Sequence, residues 1–215
     1  FAQTSGRATN GVVETRKESM FAPGLFAGQV ALVTGGGTGI GFAAATEIGL
    51  LGAKVAICDV NTEAGEAAVK ELGPEASFTP VDVADSASVS DWVETVMGRY
   101  GQIDVLVNNA GIMIDNNENA FNVSRDMIEK TLQTNVLGPL RLCQHCITLM
   151  KAGGYGRVVN VSSTLGSLSE MADPDSVYAG VGAPAYRLSK AALNAITTLI
   201  AKEVHGDNIL VNSAS

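Results

Sequence analysis

Residues 30–41 read Val-Ala-Leu-Val-Thr-Gly-Gly-Gly-Thr-Gly-Ile-Gly, and this stretch decides the fold. A short apolar run, 30–34, leads into a cluster of glycines and then into an Ala-rich segment of helical character, 39–51. Glycines let the backbone approach a phosphate closely, and the first turn of a helix offers free N–H groups to an anion. The stretch therefore predicts a strand, a phosphate-binding turn and a helix, with a flexible turn that binds nothing as the alternative.

The same alternation of short apolar runs and helical segments continues along the rest of the chain. The runs are mostly continuously apolar, which is typical of strands buried on both faces of a parallel sheet. Strand–helix–strand repeats connect by right-handed crossovers, so we expect an α/β, three-layer, doubly wound Rossmann-like sheet of order 3-2-1-4-5-6. The predicted strands are 30–34, 54–58, 77–81, 103–107, 157–161 and 208–213. The predicted helices are 39–51, 62–72, 88–100, one that begins after Ser124, and 137–150.

Composition excludes several classes of protein. Fourteen Lys and Arg against 22 Asp and Glu give a net charge of −8, which argues against nucleic-acid binding. An apolar fraction of 46% is enough for a packed core. No apolar run reaches the roughly 18 residues that a membrane span needs. We therefore expect a chain that binds neither nucleic acid nor membrane.

The cysteines predict neither disulfides nor a metal site. There are three, which implies no disulfide framework and favours a reducing, cytoplasmic compartment. Cys143 and Cys146 have the spacing of a metal motif, but a tetrahedral zinc site needs four ligands. We expect both to pack inside a helix.

Asp59 closes the second predicted strand, where an acid can accept hydrogen bonds from the 2′-hydroxyl of a ribose. A 2′-phosphate at contact would be repelled by about 4 kcal/mol at an effective dielectric near 20. Position 38, where a basic residue could meet that phosphate, is Thr. Both features favour NAD over NADP, unless Asp59 merely caps the following helix.

Four further motifs follow in order: Asn108-Asn109-Ala110-Gly111, Asn135, Ser162-Ser163 and Tyr186-Arg187-Leu188-Ser189-Lys190. With the glycine turn they resemble the short-chain dehydrogenase/reductase family over about residues 25 to 215. Each motif alone has a plain alternative: a surface Tyr–Lys pair, a helix-end Asn or a Ser in an ordinary turn.

The resemblance implies a catalytic set of Asn135, Ser163, Tyr186 and Lys190. Tyr186 and Lys190 are i and i+4, so they share a helix face. A nearby ammonium stabilises a phenolate, so Tyr186 would serve as general base on an alcohol or general acid on a ketone. Ser163 would stabilise charge on the substrate oxygen, and Asn135 would hold a water in a proton relay to Lys190.

The resemblance also implies how NAD binds. The pyrophosphate would lie on the glycine turn, Lys190 and Tyr186 would lie at the nicotinamide end, and the other residues would line the adenosine half. The implied cofactor-binding residues are Gly35, Thr38, Gly39, Ile40, Asp59, Asp82, Val83, Asn109, Ala110, Gly111, Tyr186 and Lys190.

Two features depart from the family pattern. The stretch between Ser163 and Tyr186 is longer than in many members; 164–184 is predicted to be a loop, and the extra segment 170–185 is expected by the substrate cleft, shaping substrate choice. The chain also ends before the family's substrate lid and last strand. We expect a tail at 1–19 and a single NAD-binding domain with a built-in catalytic site at 20–215.

These observations predict an NAD-dependent oxidoreductase acting on a secondary alcohol or ketone, assembled as a homodimer or homotetramer as the resemblance implies. A nucleotide-binding regulatory protein without turnover and a purely structural oligomer subunit remain as alternatives. Steroid, sugar, acyl chain and xenobiotic ketone all remain open as substrates.

Overall fold

The computed structural model describes residues 21–215, so the predicted tail at 1–19 lies outside the described residues. One six-stranded sheet has the order β3-β2-β1-β4-β5-β6, and every neighbouring pair is parallel. The predicted strand order is confirmed. The strands are β1 Val30–Thr34, β2 Lys54–Asp59, β3 Ser77–Pro80, β4 Val105–Asn108, β5 Gly156–Val161 and β6 Ile209–Ala214.

Helices connect successive strands and cover both faces of the sheet. They are α1 Gly39–Leu50, α2 Thr62–Leu72, α3 Ser86–Tyr100, α4 Arg125–Leu132, α5 Gly138–Gly153, α6 Leu168–Ala172 and α7 Pro184–Glu203. A π-helical turn, Gln133–Leu137, joins α4 to α5, and a 3₁₀ turn, Thr164–Gly166, follows β5. The predicted loop at 164–184 is therefore wrong in part, because its first half forms the 3₁₀ turn and α6.

Two apolar cores lie on opposite faces of the sheet, which makes three layers. Alternate residues of β1 point to different cores: Val30 and Leu32 pack with Trp92 of α3, whereas Ala31 and Val33 pack in the core that includes Ala45 of α1. Side chains that alternate across a strand produce this division. Strands β1 and β4 are buried along their whole length, as predicted for strands covered on both faces, whereas the edge strands β3 and β6 are partly exposed.

Helix starts follow local side-chain chemistry. The carboxamide of Asn61 caps α2 by accepting from the Ala64 N–H at 3.1 Å, and Asp85 caps α3 through the Ala87 N–H. Ser124 caps α4 as predicted, since its hydroxyl accepts from the Met127 N–H at 3.2 Å. Such caps satisfy N–H groups that have no acceptor within the helix.

A chain of buried polar groups joins β4, β5 and α7 through the larger core. The amide nitrogen of Asn108 donates to Asn160 Oδ1 at 2.8 Å, and Asn160 Nδ2 donates to Thr197 Oγ1 at 2.8 Å. All three residues are buried. Because unpaired polar groups in a core are costly, these bonds define how α7 aligns on the sheet.

Candidate active site

The glycine turn after β1 is held by the loop that follows β4. The Thr34 hydroxyl accepts from the N–H groups of Asn109 and Ala110, at 3.0 and 2.9 Å. In return the Asn109 amide donates to the carbonyls of Thr34 and Gly35, at 3.0 and 3.1 Å. Gly41 lets the start of α1 lie close to the glycine turn, because an added Cβ on Gly41 would lie 2.1 Å from the Gly35 carbonyl oxygen. The two carboxyl ends of the central strands thus form one rigid floor.

A cleft of about 600 Å³ opens above this floor at the carboxyl edge of the sheet. Its lining contains every cofactor-binding residue predicted from the sequence except Tyr186 and Lys190. The lining residues are Gly35, Thr38, Gly39, Ile40, Cys58, Asp59, Val60, Val81, Asp82, Val83, Asn109, Ala110, Gly111, Ile112 and Thr134.

The first turn of α1 presents backbone donors to the cleft. Gly39 begins α1 with a φ of +56°, and a Cβ built there meets nothing within 4 Å. Thr38, the N-cap of α1, makes no capping hydrogen bond through its side chain in the described structure. The N–H groups of the first turn are therefore open to an anion.

Asp59 lies at the other side of the cleft, at the end of β2, and both of its oxygens accept from backbone. Oδ2 accepts from the Gly37 N–H at 3.1 Å, and Oδ1 accepts from the Asn61 N–H at 3.0 Å. The alternative that Asp59 caps α2 is wrong, because the Asn61 side chain is the cap. Among the described residues that line the cleft there is no Lys or Arg, so the carboxylate has no basic neighbour there.

Asp82 and Val83 line the cleft beyond β3. Asp82 Oδ1 accepts from the Ala84 N–H at 2.9 Å, which fixes the turn. The Arg141 guanidinium donates to the carbonyls of Val83 and Ala84, at 3.4 and 3.1 Å. This edge of the cleft is therefore fastened to α5.

Asn135 lies in the π-helical turn and is fully buried. Pro139 has no N–H to donate to the Asn135 carbonyl four residues before it, which disrupts the regular helical ladder at this point. The Asn135 side chain spans the backbone of Ile112: Oδ1 accepts from its N–H and Nδ2 donates to its carbonyl, both at 2.8 Å. Nδ2 also donates to Ser189 Oγ at 3.0 Å. Asn135 therefore connects the loop after β4 to α7.

Tyr186 and Lys190 lie one turn apart on α7. The Lys190 ammonium is 5.5 Å from the centroid of the Tyr186 ring and donates to the Val161 carbonyl at 2.7 Å. Lys190 is only 4% exposed, and its burial lowers the pKa of the ammonium to about 8. Desolvation penalises the charged form, so this cation is held at a cost.

Ser163 directly precedes the 3₁₀ turn after β5, and its hydroxyl accepts from the Leu165 N–H at 3.2 Å. The turn packs closely against α7. A Cβ on Gly166 would lie 2.7 Å from both the carbonyl carbon and the Cβ of Lys190. The turn that begins after Ser163 is thus held against Lys190 through Gly166.

Two residues of the predicted catalytic set, Asn135 and Lys190, meet the cleft at Gly111. A Cβ on this cleft residue would lie 3.3 Å from Asn135 Oδ1 and 3.7 Å from Lys190 Nζ. Asn135, Lys190 and the cofactor cleft are therefore adjacent, with Tyr186 one turn away on the same helix.

The extra segment before Tyr186 is folded onto the start of α7. Arg187 donates to three of its carbonyls: Nε to Gly182 at 3.0 Å, and Nη2 to Tyr178 and Val181 at 2.6 and 3.0 Å. A second cavity of about 440 Å³ lies between this segment and α7. Its lining is largely apolar and includes Leu168, Met171, Val181 and Leu188.

Cys143 and Cys146 are buried in α5, as predicted. Burial raises the pKa of the Cys143 thiol to about 12 and raises that of the Cys146 thiol further. Within residues 21–215 no group of three or more His, Cys, Asp or Glu side chains could hold a metal ion. The helices of the same residues include none with the length and apolarity to cross a membrane.

Sequence reasoning missed three residues that hold the site together: Thr34, Asp115 and Ser189. The Ser189 hydroxyl donates to the Tyr186 carbonyl at 2.7 Å and accepts from Asn135. Asp115 accepts from the backbone of Ala185 and Tyr186. Thr34 and Ser189 lie inside motifs that the sequence shows, the glycine turn and the Tyr186–Lys190 stretch, whereas Asp115 lies in none.

Comparison with known proteins matches this arrangement. The family model described as short chain dehydrogenase matches residues 29–215. An uncharacterised oxidoreductase of Thermotoga maritima is 39% identical over 196 residues, covering 87% of this chain and 70% of the relative. A 3-oxoacyl-[acyl-carrier-protein] reductase of Chlamydia trachomatis is 34% identical over 193 residues, covering 88% and 73%.

A solved structure of NAD⁺-bound xylitol dehydrogenase superposes with a TM-score of 0.78 at 33% identity, covering 88% of this chain and 70% of that one. A 3-ketoacyl-(acyl-carrier-protein) reductase from Brucella melitensis, complexed with NADH, gives a TM-score of 0.79 at 28% identity, covering 87% and 75%. These matches agree with the glycine turn, the sheet order and the motif residues at the carboxyl edge of the sheet. The chain belongs to the short-chain dehydrogenase family of oxidoreductases.

Proposed function

We propose that the protein transfers a hydride between NAD(H) and a secondary alcohol or ketone. The observation that carries this proposal is the meeting at Gly111, where the cofactor cleft reaches Asn135 and Lys190. A nicotinamide cofactor supplies the carbon that accepts or donates the hydride. The chain's own residues handle the proton and position the substrate oxygen.

Tyr186 is the proposed acid/base, because its hydroxyl can exchange a proton with the substrate oxygen. Lys190, 5.5 Å from the Tyr186 ring centroid, supports the phenolate as a fixed cation and also binds the nicotinamide ribose. Ser163 donates a hydrogen bond to the substrate oxygen as charge develops on it. Asn135 holds a water in the relay to Lys190, as the family resemblance implies.

NAD is the proposed cofactor in preference to NADP. Asp59 presents a carboxylate to the cleft with both oxygens fixed by backbone N–H groups. A ribose 2′-hydroxyl can donate to such a carboxylate, whereas a 2′-phosphate is repelled by it. The lining within the described chain offers no Lys or Arg to offset that repulsion.

Substrate choice is proposed to depend on the extra segment before Tyr186. It lies against the helix that carries the tyrosine and presents exposed apolar side chains, among them Met171 and Val177. The names of the relatives suggest a first panel for assay: polyols, by analogy with xylitol dehydrogenase and sorbitol dehydrogenase, and 3-oxoacyl thioesters.

We also propose a homodimer or homotetramer located in the cytoplasm. A groove of about 540 Å³ between α5 and α7 is lined by apolar side chains that include Leu140, Ile147 and Leu199, and Leu199 is 60% exposed. Burying such a surface against a second copy is favourable. The three free cysteines fit a reducing compartment. Analytical ultracentrifugation tests the assembly, and a purely monomeric protein contradicts it.

The function is tested by titration with NADH and NADPH, followed by nicotinamide fluorescence, and by turnover with the substrate panel. We expect tight NADH binding, weaker NADPH binding, and turnover that is lost in Tyr186→Phe while NADH binding is kept. Binding without turnover on any substrate supports a regulatory nucleotide-binding protein instead. Binding of neither nucleotide refutes both readings.

A further inference from the structure

Helix α7 begins without a capping side chain of its own. Its N-cap residue is Ala183, which has a φ of +60° and offers no side-chain acceptor. Pro184 has no N–H, so the next donors are the backbone N–H groups of Ala185 and Tyr186. Neither can find an acceptor within the helix, because the first N–H groups of any helix lack one.

The acceptor comes from a distant part of the chain. Asp115 Oδ2 lies 2.5 Å from the Ala185 nitrogen and 3.4 Å from the Tyr186 nitrogen, although Asp115 and Ala185 are 70 positions apart in the sequence. Asp115 is 1% exposed. A buried carboxylate is unfavourable unless it is compensated. Here Oδ2 faces the positive end of the helix dipole, while Oδ1 has no hydrogen-bond partner among the described residues.

A second contact fits the two segments together. Gly182 lies so close to the chain after Asp115 that a Cβ on it would be 2.5 Å from the Glu118 carbonyl oxygen and 3.2 Å from that of Asn116. The start of α7 is therefore seated against the loop that begins at Asp115, and its place depends on that loop.

The peptide groups on both sides of Tyr186 are then fixed. Asp115 accepts from the N–H of Tyr186, and the carbonyl of Tyr186 accepts from the Ser189 hydroxyl at 2.7 Å. Ser189 in turn accepts from Asn135. The side chain of Tyr186 projects from a backbone that can neither rotate nor shift along the helix axis without breaking one of these bonds.

We propose that Asp115 is a positioning residue for Tyr186, an inference that rests on the proposed function of Tyr186 as acid/base. Asp115 acts through the backbone of α7, so its loss moves the hydroxyl of Tyr186 relative to the substrate and leaves the cofactor cleft in place. A displacement of about 1 Å at a reacting group is enough to cost up to roughly a hundredfold in rate.

The test compares Asp115→Ala, Asp115→Asn and the control Ser124→Ala, all measured below their unfolding temperatures. Ser124→Ala removes a cap of the same kind from α4. We expect Asp115→Ala to lower kcat about tenfold or more with little change in the Kd of NADH. Asp115→Asn keeps one oxygen acceptor and should recover most of kcat, and Ser124→Ala should leave kcat unchanged. A fall in kcat no larger than that of Ser124→Ala overturns the proposal.

A second measurement does not require turnover. Amide hydrogen exchange at Ala185 and Tyr186 should be about tenfold faster or more in Asp115→Ala and near the wild-type rate in Asp115→Asn, because a helix's first N–H groups depend on their cap. Exchange that is unchanged in Asp115→Ala overturns the proposal. If the wild type turns over no substrate, the proposed function fails, and this exchange result still decides whether Asp115 holds Tyr186.

Discussion

The ammonium nitrogen of Lys190 lies 2.7 Å from the carbonyl oxygen of Val161, the last residue of β5. Together with the bond from Asn160 to Thr197, this bond joins α7 to the strand that precedes Ser163. The ammonium is also buried, and its desolvation lowers the Lys190 pKa to about 8. The charge proposed to support Tyr186 is therefore a charge that folding has to stabilise.

Stability should rise with pH because of Lys190. Below about pH 8 the lysine is protonated in both the folded and the unfolded chain, and its buried charge lowers the free energy of unfolding. Between pH 8 and about pH 10 the folded protein has released the proton that the unfolded chain still holds, so stability increases. The full effect is about 3 kcal/mol.

Denaturant unfolding of cofactor-free wild type and Lys190→Met checks this at several pH values. Lys190→Met should be the more stable protein below pH 8, and wild type should gain on it as the pH rises. Lys202→Met, at an exposed lysine near the end of α7, is the matched control. A difference between wild type and Lys190→Met that stays constant from pH 7 to pH 10 contradicts the assignment.

Asp59→Asn should relax the choice of cofactor. Removing the negative charge leaves one oxygen for the Gly37 and Asn61 N–H groups and takes away the repulsion of a 2′-phosphate. We expect NADPH affinity to rise about tenfold or more, which corresponds to roughly 1.4 kcal/mol, and NADH affinity to fall. Asp85→Asn makes the same charge change at the α3 cap, outside the cleft, and should not alter the NADH to NADPH ratio.

Gly166→Ala should displace the turn that follows Ser163. The new methyl group would overlap the backbone of Lys190, and overpacking of this kind costs about 1–3 kcal/mol. We expect a lower melting temperature and a reduced kcat. Gly153→Ala, in the last turn of α5 where a Cβ meets nothing within 4 Å, should be neutral in both measurements. Equal kcat values for the two variants would show that Ser163 does not depend on this contact.

Arg187→Met should loosen the extra segment before Tyr186. It removes donors to three backbone carbonyls while keeping much of the apolar stem of the side chain. The ratio of kcat/KM values across the substrate panel should change, while NADH binding stays the same. Arg125→Met, at the 89% exposed partner of Glu129 on α4, is the control. Unchanged selectivity in Arg187→Met would contradict the proposal that this segment determines substrate choice.

The sheet could be predicted from the sequence because burial and strand formation coincide in it. The strand at 30–34 and the helix at 62–72 have the predicted bounds. The predicted strand at 103–107 begins later, at Val105, because Ile103 is buried before the ladder pairing starts. An apolar run indicates burial, whereas strand bounds depend on the neighbouring chain.

The site could be predicted only as far as its residues have fixed spacing. Residues of the glycine turn and of the Tyr-x-x-x-Lys pair are close in sequence, and the structure places them as one cleft and one helix face. Asp115 is different, because its backbone partners at Ala185 and Tyr186 lie 70 and 71 positions away and meet it only when separate segments fold together. Neither local propensity nor periodicity carries that information.

The stretch between Gly166 and Tyr186, which contains the extra segment, is fixed at both ends. This affects how the protein can diverge. Gly166 is seated on Lys190 at one end, and Asp115 caps the helix start at the other. Between two fixed ends, doubling the length of a loop costs only about 0.6 kcal/mol. Insertions and deletions in this stretch are therefore tolerated, and under the proposed function they would change substrate choice while Tyr186 and Lys190 keep their places.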